Sequence, residues 1–166
     1  MLGRLIDVRP GGCDRIRNMN ANIRCAHQDE LDNLLNLYQH LHANDALLPE
    51  NSTLHQVWED ILSDPRVNCL VADLGGVLVG SCVLVLVPNL TRGARPYGLI
   101  ENVVTHADYR RKGIATRLLH HALQIAWDKN CYKVMLLTGS KSEGIHQFYE
   151  QAGFTKGDKT GFVARP

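Results

Sequence analysis

The segment from residue 99 to residue 119 constrains the fold of this chain more than any other. An apolar run is followed by the cationic residues 110–112, by Gly113 and then by an amphipathic helix pattern. This order predicts a β-strand, a tight turn and the N-terminus of a helix, where the first backbone N–H groups have no partner within the helix. The helix dipole favours negative charge there, and glycine lets the backbone approach a ligand closely. We therefore predict a diphosphate-binding turn.

Length and composition exclude several classes of protein. The 166 residues fit one domain. With 18 Lys and Arg against 17 Asp and Glu, the formal net charge is +1, which is too balanced for nucleic-acid binding by overall attraction. No apolar run approaches the roughly 18 residues that a membrane span requires. The five cysteines are scattered without a C-x-x-C pair, which indicates reduced thiols and no zinc site. We expect a cytoplasmic protein that binds neither nucleic acid nor membrane and holds no metal.

The first 18 residues differ from the remainder of the chain. They are rich in arginine, contain a Pro-Gly-Gly turn and show little periodicity, whereas Met19 precedes a plausible first strand. We predict a single domain over residues 19–166, with residues 1–18 as a poorly structured extension or a non-native start. The leader lacks the apolar centre of a secretory signal. An arginine-rich transit peptide is the alternative, which Asp7 and Asp14 oppose.

Hydrophobic periodicity predicts alternating strands and helices from residue 23 onward. Strands are predicted at 23–26, 67–73, 77–87, 97–105 and 132–137, with one or two short closing strands within 154–164. Helices are predicted at 28–43, from Asn51 or Ser52 to 63, at 114–128 and at 140–151. The fold class is therefore α/β, with a mixed, mostly antiparallel central sheet of six to seven strands and helices on both faces.

Two motifs resemble those of the GNAT family of N-acetyltransferases. Their acetyl-CoA signature, Gln/Arg-x-x-Gly-x-Gly/Ala, is matched by Arg110, Gly113 and Ala115. The segment 148–154 resembles their second signature, a helix that carries a tyrosine, here Tyr149, before a Gly-Phe pair. The two motifs occur in the expected order with a predicted strand between them, and the resemblance extends over nearly everything after Met19.

The resemblance implies an enzyme that transfers an acetyl group from acetyl-CoA to the primary amine of a small molecule, by direct attack on the thioester. It implies that backbone amides of the turn bind the pyrophosphate, and that the fourth strand splays from the fifth so that the pantetheine arm pairs with the strand's backbone. The implied cofactor-binding residues are Val103, Val104, Arg110, Arg111, Lys112, Gly113, Ile114, Ala115, Thr116 and, where the family has asparagine, Ser142. The alternative for the turn is a solvated basic loop. A homodimer is common in the family.

Amine acetylation requires two proton movements. An alkylammonium has a pKa near 10.4 and must lose a proton before it attacks, and the leaving thiolate derives from a thiol of pKa about 8.5. The resemblance assigns Tyr149 as the general acid, although Tyr149 also fits an apolar stripe with Ile145, Phe148 and Ala152. Glu101, in the middle of the fourth predicted strand, is the candidate base acting through water. Its alternative role is a hydrogen bond to a neighbouring strand.

The acceptor is the least constrained part of the prediction. The loops 88–95 and 44–50 are expected to shape its pocket: Arg92 and Arg95 suit an anionic group, whereas Asp45 and Glu50 suit an amine. His40, His42 and His55 are candidates for the same pocket, and His106 is a candidate for proton relay. Two alternatives to a small-molecule amine stay open, namely a protein or peptide amine and a non-catalytic acetyl-CoA sensor. A nucleotide-binding loop is disfavoured because neither the P-loop nor the dinucleotide string occurs at this turn.

Overall fold

The computed structural model of the protein describes residues 20–41 and 46–166. The predicted extension, residues 1–18, therefore lies outside the described residues, as do Met19 and two of the candidate acceptor residues, His42 and Asp45.

The described residues form one sheet of five strands in the order β1-β2-β3-β4-β5. The strands are β1 (Asn22–Cys25), β2 (Val67–Leu74), β3 (Val77–Val87), β4 (Tyr97–Thr105) and β5 (Val134–Leu136). The first three pairings are antiparallel, and β4 pairs with β5 in parallel. The mixed, mostly antiparallel α/β sheet is confirmed, but with five strands in place of six or seven.

No strand forms over residues 154–164, where one or two closing strands were predicted. The apolar residues of this segment suggested a strand, but Phe162 and Val163 are exposed and Gly157 adopts a positive φ of 82°. Glycines, lysines and an aspartate separate the apolar residues, so the segment has no alternating face to bury against the sheet.

The helices lie on both faces of the sheet, as predicted. They are α1 (Leu31–Tyr38), α2 (Asn51–Ser63), α4 (Ile114–Asp128) and α5 (Glu143–Gln151), with 3₁₀ turns at Gln28–Glu30 and Ala107–Tyr109. The segment labelled α3 (Thr91–Ala94) is a single left-handed turn, since Arg92, Gly93 and Ala94 have positive φ values. One core cluster joins α1 and α2 to β2 and β3 through residues such as Leu34, Trp58 and Val71. The other joins α4 to the opposite face through Leu118, Leu119 and their neighbours.

Helix boundaries match the periodicity best where one face is fully buried. Helix α4 begins and ends as predicted because its buried residues recur at helical spacing. Helix α5 begins at Glu143, three residues later than predicted, and no capping box forms between Ser140 and Glu143; the hydroxyl of Ser140 instead accepts the N–H of Ser142 at 3.2 Å. On α2 the apolar spacing also favours burial of Val57, but its exposed fraction is 49%, and Trp58 is the one fully buried residue of this helix.

Candidate active site

The sheet opens between β4 and β5. Their pairing covers only Gly98 to Ile100 of β4 against Val134 to Leu136 of β5. Strand β4 continues to Thr105, so its last five residues have no β5 partner. This is the opening that was expected between the fourth and fifth strands.

A β-bulge lies where the pairing with β5 stops. The register between β3 and β4 shifts between Ser81 and Val83, and Asn102 on β4 has a left-handed φ of 53°. A bulge adds a residue to one strand and turns its backbone away from the regular ladder. Beyond it, Val104 pairs with Ser81, and the N–H of His106 donates to Val79 O at 3.0 Å. By the alternation of an antiparallel ladder, the backbone polar groups of Val104 therefore face β3, and those of Val103 face the opening.

The predicted diphosphate turn follows β4. Arg111 and Gly113 have positive φ values of 60° and 75°, and α4 begins at Ile114. Among the described residues, none of the six backbone N–H groups from Arg111 to Thr116 is engaged in a hydrogen bond. A Cβ added at Gly113 would meet no atom within 4 Å, so the surface at this residue is open. The turn therefore presents a row of unpartnered donors at the N-terminus of a 15-residue helix.

Two of the three cations of the turn donate hydrogen bonds to backbone carbonyls. Arg110 is held by backbone carbonyls, with Nε donating to Thr105 O at 3.2 Å and Nη2 to His40 O at 3.1 Å. Lys112 donates to Asp108 O at 2.9 Å and lies over the ring of Tyr109. Arg110 thus connects the turn to the segment that follows α1 by a hydrogen bond, and its positive charge lies next to the unpartnered N–H groups of residues 111–116.

Tyr149 lies on α5, within the core cluster that packs against α4. Its ring contacts Phe148 and Phe154, with centroid separations of 4.9 and 6.3 Å. Burial raises the pKa of the Tyr149 phenol, and the neighbouring Cys82 and Glu101 add to that rise. The phenol therefore stays protonated at neutral pH and is available as a donor. Tyr149 packs in the core and also lies close enough to Glu101 to be affected by its charge. A core role and a general-acid role, the two interpretations from the sequence, are therefore compatible.

Glu101 lies at the start of the unpaired part of β4 and is exposed. It is opposite Val83, whose side chain packs in the cluster of α1 and α2, and residues directly opposite on neighbouring strands share a face. Glu101 and Tyr149 thus flank the opening from opposite faces of the sheet. Within the described residues, no hydrogen bond or ion pair ties the Glu101 carboxylate to a neighbouring strand.

Ser142, predicted as a cofactor ligand, is the N-cap residue of α5 and is exposed. Its carbonyl accepts the N–H groups of Ile145 and His146. His146, which the sequence analysis did not select, donates from Nε2 to Ser140 O at 2.8 Å and accepts from Lys156 Nζ at 2.9 Å. This histidine fixes the loop that leads into α5.

A second group missed by sequence reasoning lies behind the bulge. Burial raises the pKa of the Tyr38 phenol, as does the neighbouring Cys69, whereas Ser81 and Asn102 oppose the rise. Ser81 is fully buried beside Tyr38 and Cys69. The only sequence signal was Tyr38 within the apolar stripe of α1, which does not distinguish a core tyrosine from one beside a functional strand.

The histidines occupy different places. His40 and His106 stack with ring centroids 4.2 Å apart, where the end of α1 meets the end of β4. His55 is engaged with Asn51 O at 2.7 Å, and His120 and His121 are exposed on α4. In the described part of the chain, no group of His, Cys, Asp and Glu side chains is arranged to hold a metal. Among the helices described, none combines the length and apolar character needed to cross a membrane.

A family model confirms the predicted resemblance. The model of the acetyltransferase (GNAT) family matches residues 31–154, which include the opening, the turn and Tyr149. The chain belongs to the GNAT acetyltransferase family. This family uses acetyl-CoA as its co-substrate.

Individual relatives agree with this assignment. The chain is 42% identical over 79 residues to glucosamine 6-phosphate N-acetyltransferase of Trypanosoma brucei brucei, a match that covers 48% of this chain and 52% of that enzyme. A solved structure from Agrobacterium tumefaciens str. C58 is 42% identical, covers 87% of this chain and 99% of its own, and has a TM-score of 0.82. Glucosamine-6-phosphate N-acetyltransferase of Arabidopsis thaliana shares the fold, with a TM-score of 0.75 at 19% identity over 87% of this chain and 97% of its own.

Proposed function

We propose that this GNAT enzyme transfers the acetyl group of acetyl-CoA to the primary amine of a small molecule. The observation that carries the proposal is the row of unpartnered amides from Arg111 to Thr116, placed at the end of β4 where the sheet opens. Such donors at a helix N-terminus suit the coenzyme pyrophosphate. Acetyl-CoA supplies an activated thioester, and the chain supplies binding, orientation and proton movement.

The proposed cofactor-binding residues lie in the turn, on β4 and at the start of α5. The amides of the turn face the pyrophosphate, with Arg111 and Lys112 adding positive field. Val103 is the residue whose backbone groups face the opening and can pair with the pantetheine amides, as an added strand would. Val104 does not share this role, because its N–H and C=O face β3 and its side chain is buried in the cluster of α1 and α2. Ser142 stays a prediction at the entrance of α5.

Tyr149 is the proposed general acid. Its raised pKa keeps the phenol protonated, so it donates a hydrogen bond to the developing thiolate. Complete proton transfer from such a phenol to a thiolate of pKa about 8.5 is unfavourable, so stabilisation of negative charge is the larger part of its contribution. Tyr149 therefore acts mainly by stabilising the thiolate and less by proton transfer, because its burial beside Phe148 raises its pKa.

Glu101 is the proposed base, acting through water on the acceptor ammonium. It is exposed at the opening and faces the side of α1 and α2, opposite Tyr149. This arrangement assigns amine deprotonation and thiolate stabilisation to separate groups, so that one site can promote both.

The relatives support a choice of acceptors to test. The trypanosomal relative acts on glucosamine 6-phosphate, so an amino sugar phosphate is the first acceptor to test. A peptide amine is the second candidate, because a further relative, 31% identical over 98 residues, is an N-alpha-acetyltransferase of Caenorhabditis elegans. The homodimer and the cytoplasmic location stay predictions.

The test is a panel of amines with acetyl-CoA, read by release of free thiol. We expect turnover with glucosamine 6-phosphate or another small amine, and a rise of the thermal unfolding midpoint with acetyl-CoA but not with ATP or NAD. Turnover with peptide N-termini alone would select the alternative acceptor. Acetyl-CoA binding without turnover on any amine would indicate a sensor.

A further inference from the structure

A basic cleft lies at the opposite end of the sheet from the turn that binds coenzyme. It has a volume of about 570 Å³ and is lined by Arg92, Arg95, Tyr132, Lys133, Asp158 and Lys159. Four cations thus face one carboxylate, in a chain whose formal net charge is only +1. We propose that this cleft is a second binding site, separate from the acetyl-transfer site, for a small molecule that carries a phosphate monoester.

The cations of the cleft are not neutralised. Within the part of the chain that the structure describes, none of them forms an ion pair with a carboxylate, not even with Asp158 in the same cleft. Like charges that converge from three separate segments repel each other. An anion that binds among them relieves this repulsion and gains charge-assisted hydrogen bonds.

Arg95 is fixed in place by backbone carbonyls. Its Nε donates to Asn130 O and its Nη2 to Cys131 O, both at 3.1 Å. These bonds join the loop before β4 to the loop before β5. The guanidinium therefore keeps one orientation without an anion, which lowers the entropy cost of binding one.

The loop that carries Arg92 has an unusual backbone. Arg92, Gly93 and Ala94 have consecutive positive φ values of 58°, 72° and 57°. For the two residues that carry a Cβ this conformation costs about 1–2 kcal/mol each. The side-chain amide of Asn89 holds the loop, donating to Thr91 O at 2.7 Å and Arg95 O at 3.2 Å. Strain that a dedicated bond network maintains is a feature of ligand-binding loops.

Lys133 supplies a third cation from the start of β5. Its ammonium lies 5.4 Å from the ring centroid of Tyr97 and 5.5 Å from that of Tyr132. The two rings meet edge to face at 6.3 Å. The rings position the ammonium without neutralising its charge, and they offer an aromatic surface to the organic part of a ligand.

The distances separate this cleft from the acetyltransferase site. Helix α4 has 15 residues and so places its C-terminal loop about 22 Å from the coenzyme turn. Along β4, Tyr97 lies four residues before Glu101, or about 13 Å. The turn proposed for the coenzyme phosphates lies at the far end of both elements, so an anion bound in this cleft would be a separate ligand.

The shape of the cleft favours a small molecule over a polymer. Its volume is within the range of small-molecule pockets, roughly 300–1,000 Å³. Nucleic-acid binding uses an extended basic surface, for which the overall charge of this chain is too balanced. A dianionic phosphate ester matches cations that approach from several directions.

The test is calorimetric titration of the full chain with phenyl phosphate, with benzyl alcohol as the uncharged comparison. We expect saturable binding of phenyl phosphate alone, weakened about tenfold or more by Arg92→Gln and by Lys133→Gln, since each removes a charge-assisted hydrogen bond. The matched control is Lys129→Gln, an exposed lysine in the same loop that does not line the cleft, for which we expect less than a twofold change.

Coenzyme A binding is measured on the same samples. We expect its affinity to be unchanged by saturating phenyl phosphate and by Lys133→Gln, because the two sites are separate. Absence of phenyl phosphate binding, an equal loss in Lys129→Gln, competition with coenzyme A, or tighter binding of an oligonucleotide or acidic peptide would each overturn the proposal. Loss of acetyl transfer to amines bears on the proposed function alone.

Discussion

Burial of the Tyr149 phenol on α5 raises its pKa, and the carboxyl group of Glu101 on β4, with the Cys82 thiol, raises it further. The two residues belong to different elements and to opposite faces of the sheet, yet the charge of Glu101 acts on Tyr149 where β4 extends beyond β5. This relationship makes the two proposed catalytic residues dependent on each other.

Tyr149→Phe tests the acid. The substitution keeps the ring packing against Phe148 and Phe154 and removes only the hydroxyl. We expect kcat to fall about 10²- to 10³-fold, within the usual contribution of a general acid, while the Kd for acetyl-CoA changes less than twofold. Steady-state thiol release and calorimetry measure the two quantities.

The matched control is Tyr132→Phe, which removes a phenol at the start of β5, away from the opening. Its kcat should be that of the unmodified enzyme. Unchanged turnover in Tyr149→Phe would leave Tyr149 with a packing role only.

Glu101→Gln has two expected consequences. Because the Glu101 charge helps to raise the pKa of Tyr149, its removal should lower that pKa, seen as an earlier tyrosinate absorbance change that is missing when Tyr149→Phe is added. Loss of the base should also make kcat/KM rise with pH towards the pKa of the free amine, near 10 for an alkylamine. A pH profile identical to that of the unmodified enzyme would exclude Glu101 as the base.

The sequence predicted the elements with the clearest apolar pattern and boundaries. Helix α4 and strand β3 were predicted with their observed bounds, because helical spacing marks the buried face of α4, and because Gly75-Gly76 and Pro88 flank the β-branched apolar run of β3. The turn at Gly113 was predicted for a related reason, since glycine beside cations marks a positive φ and an anion site.

Features that depend on a partner element could not be predicted. The bulge at Asn102 arises from a register shift against Ser81, and asparagine alone does not specify a left-handed residue inside a strand. The closing strands at 154–164 were inferred from apolar residues such as Phe162, but a strand also needs an alternating face, which this segment lacks. Arg110 was assigned to the coenzyme from its motif, and its hydrogen bonds to Thr105 O and His40 O became visible only in three dimensions.

Gly113→Ala tests the coenzyme turn. The added methyl meets no atom within 4 Å, so the cost to the protein is the positive φ of 75°, about 1–2 kcal/mol of the free energy of unfolding. In the complex the methyl would occupy the space in front of the free amides, so we expect acetyl-CoA to bind about tenfold more weakly or worse. Calorimetry and denaturant unfolding provide both values.

Gly75→Ala is the control for backbone strain. Gly75 sits in the hairpin between β2 and β3 with a φ of 64°, and its added methyl also meets nothing within 4 Å. This variant should lose similar stability and keep its affinity for acetyl-CoA. If Gly113→Ala binds acetyl-CoA with full affinity, the pyrophosphate site lies elsewhere.

Glu30→Gln tests the ion network that joins β1 to the rest of the sheet. Arg24 donates to both carboxylate oxygens of Glu30, at 2.6 and 2.8 Å, and to Asp73 at 2.9 Å. The hydrogen bond from Arg24 lowers the pKa of Glu30 from 4.5 to about 2, against the effect of burial. Because the folded pKa of Glu30 is the lower one, this contribution to stability is complete above about pH 4.5 and is lost as the pH falls towards 2.

At pH 7 we expect Glu30→Gln to reduce the free energy of unfolding by about 2 kcal/mol, allowing for solvent screening. Between pH 5 and pH 2 the free energy of unfolding of this variant should fall less steeply than that of the unmodified protein, as measured by urea unfolding. The control is Glu59→Gln, on the exposed face of α2, whose stability should follow the curve of the unmodified protein. Parallel curves for Glu30→Gln and the unmodified protein would mean that Glu30 titrates alike in the folded and unfolded chains.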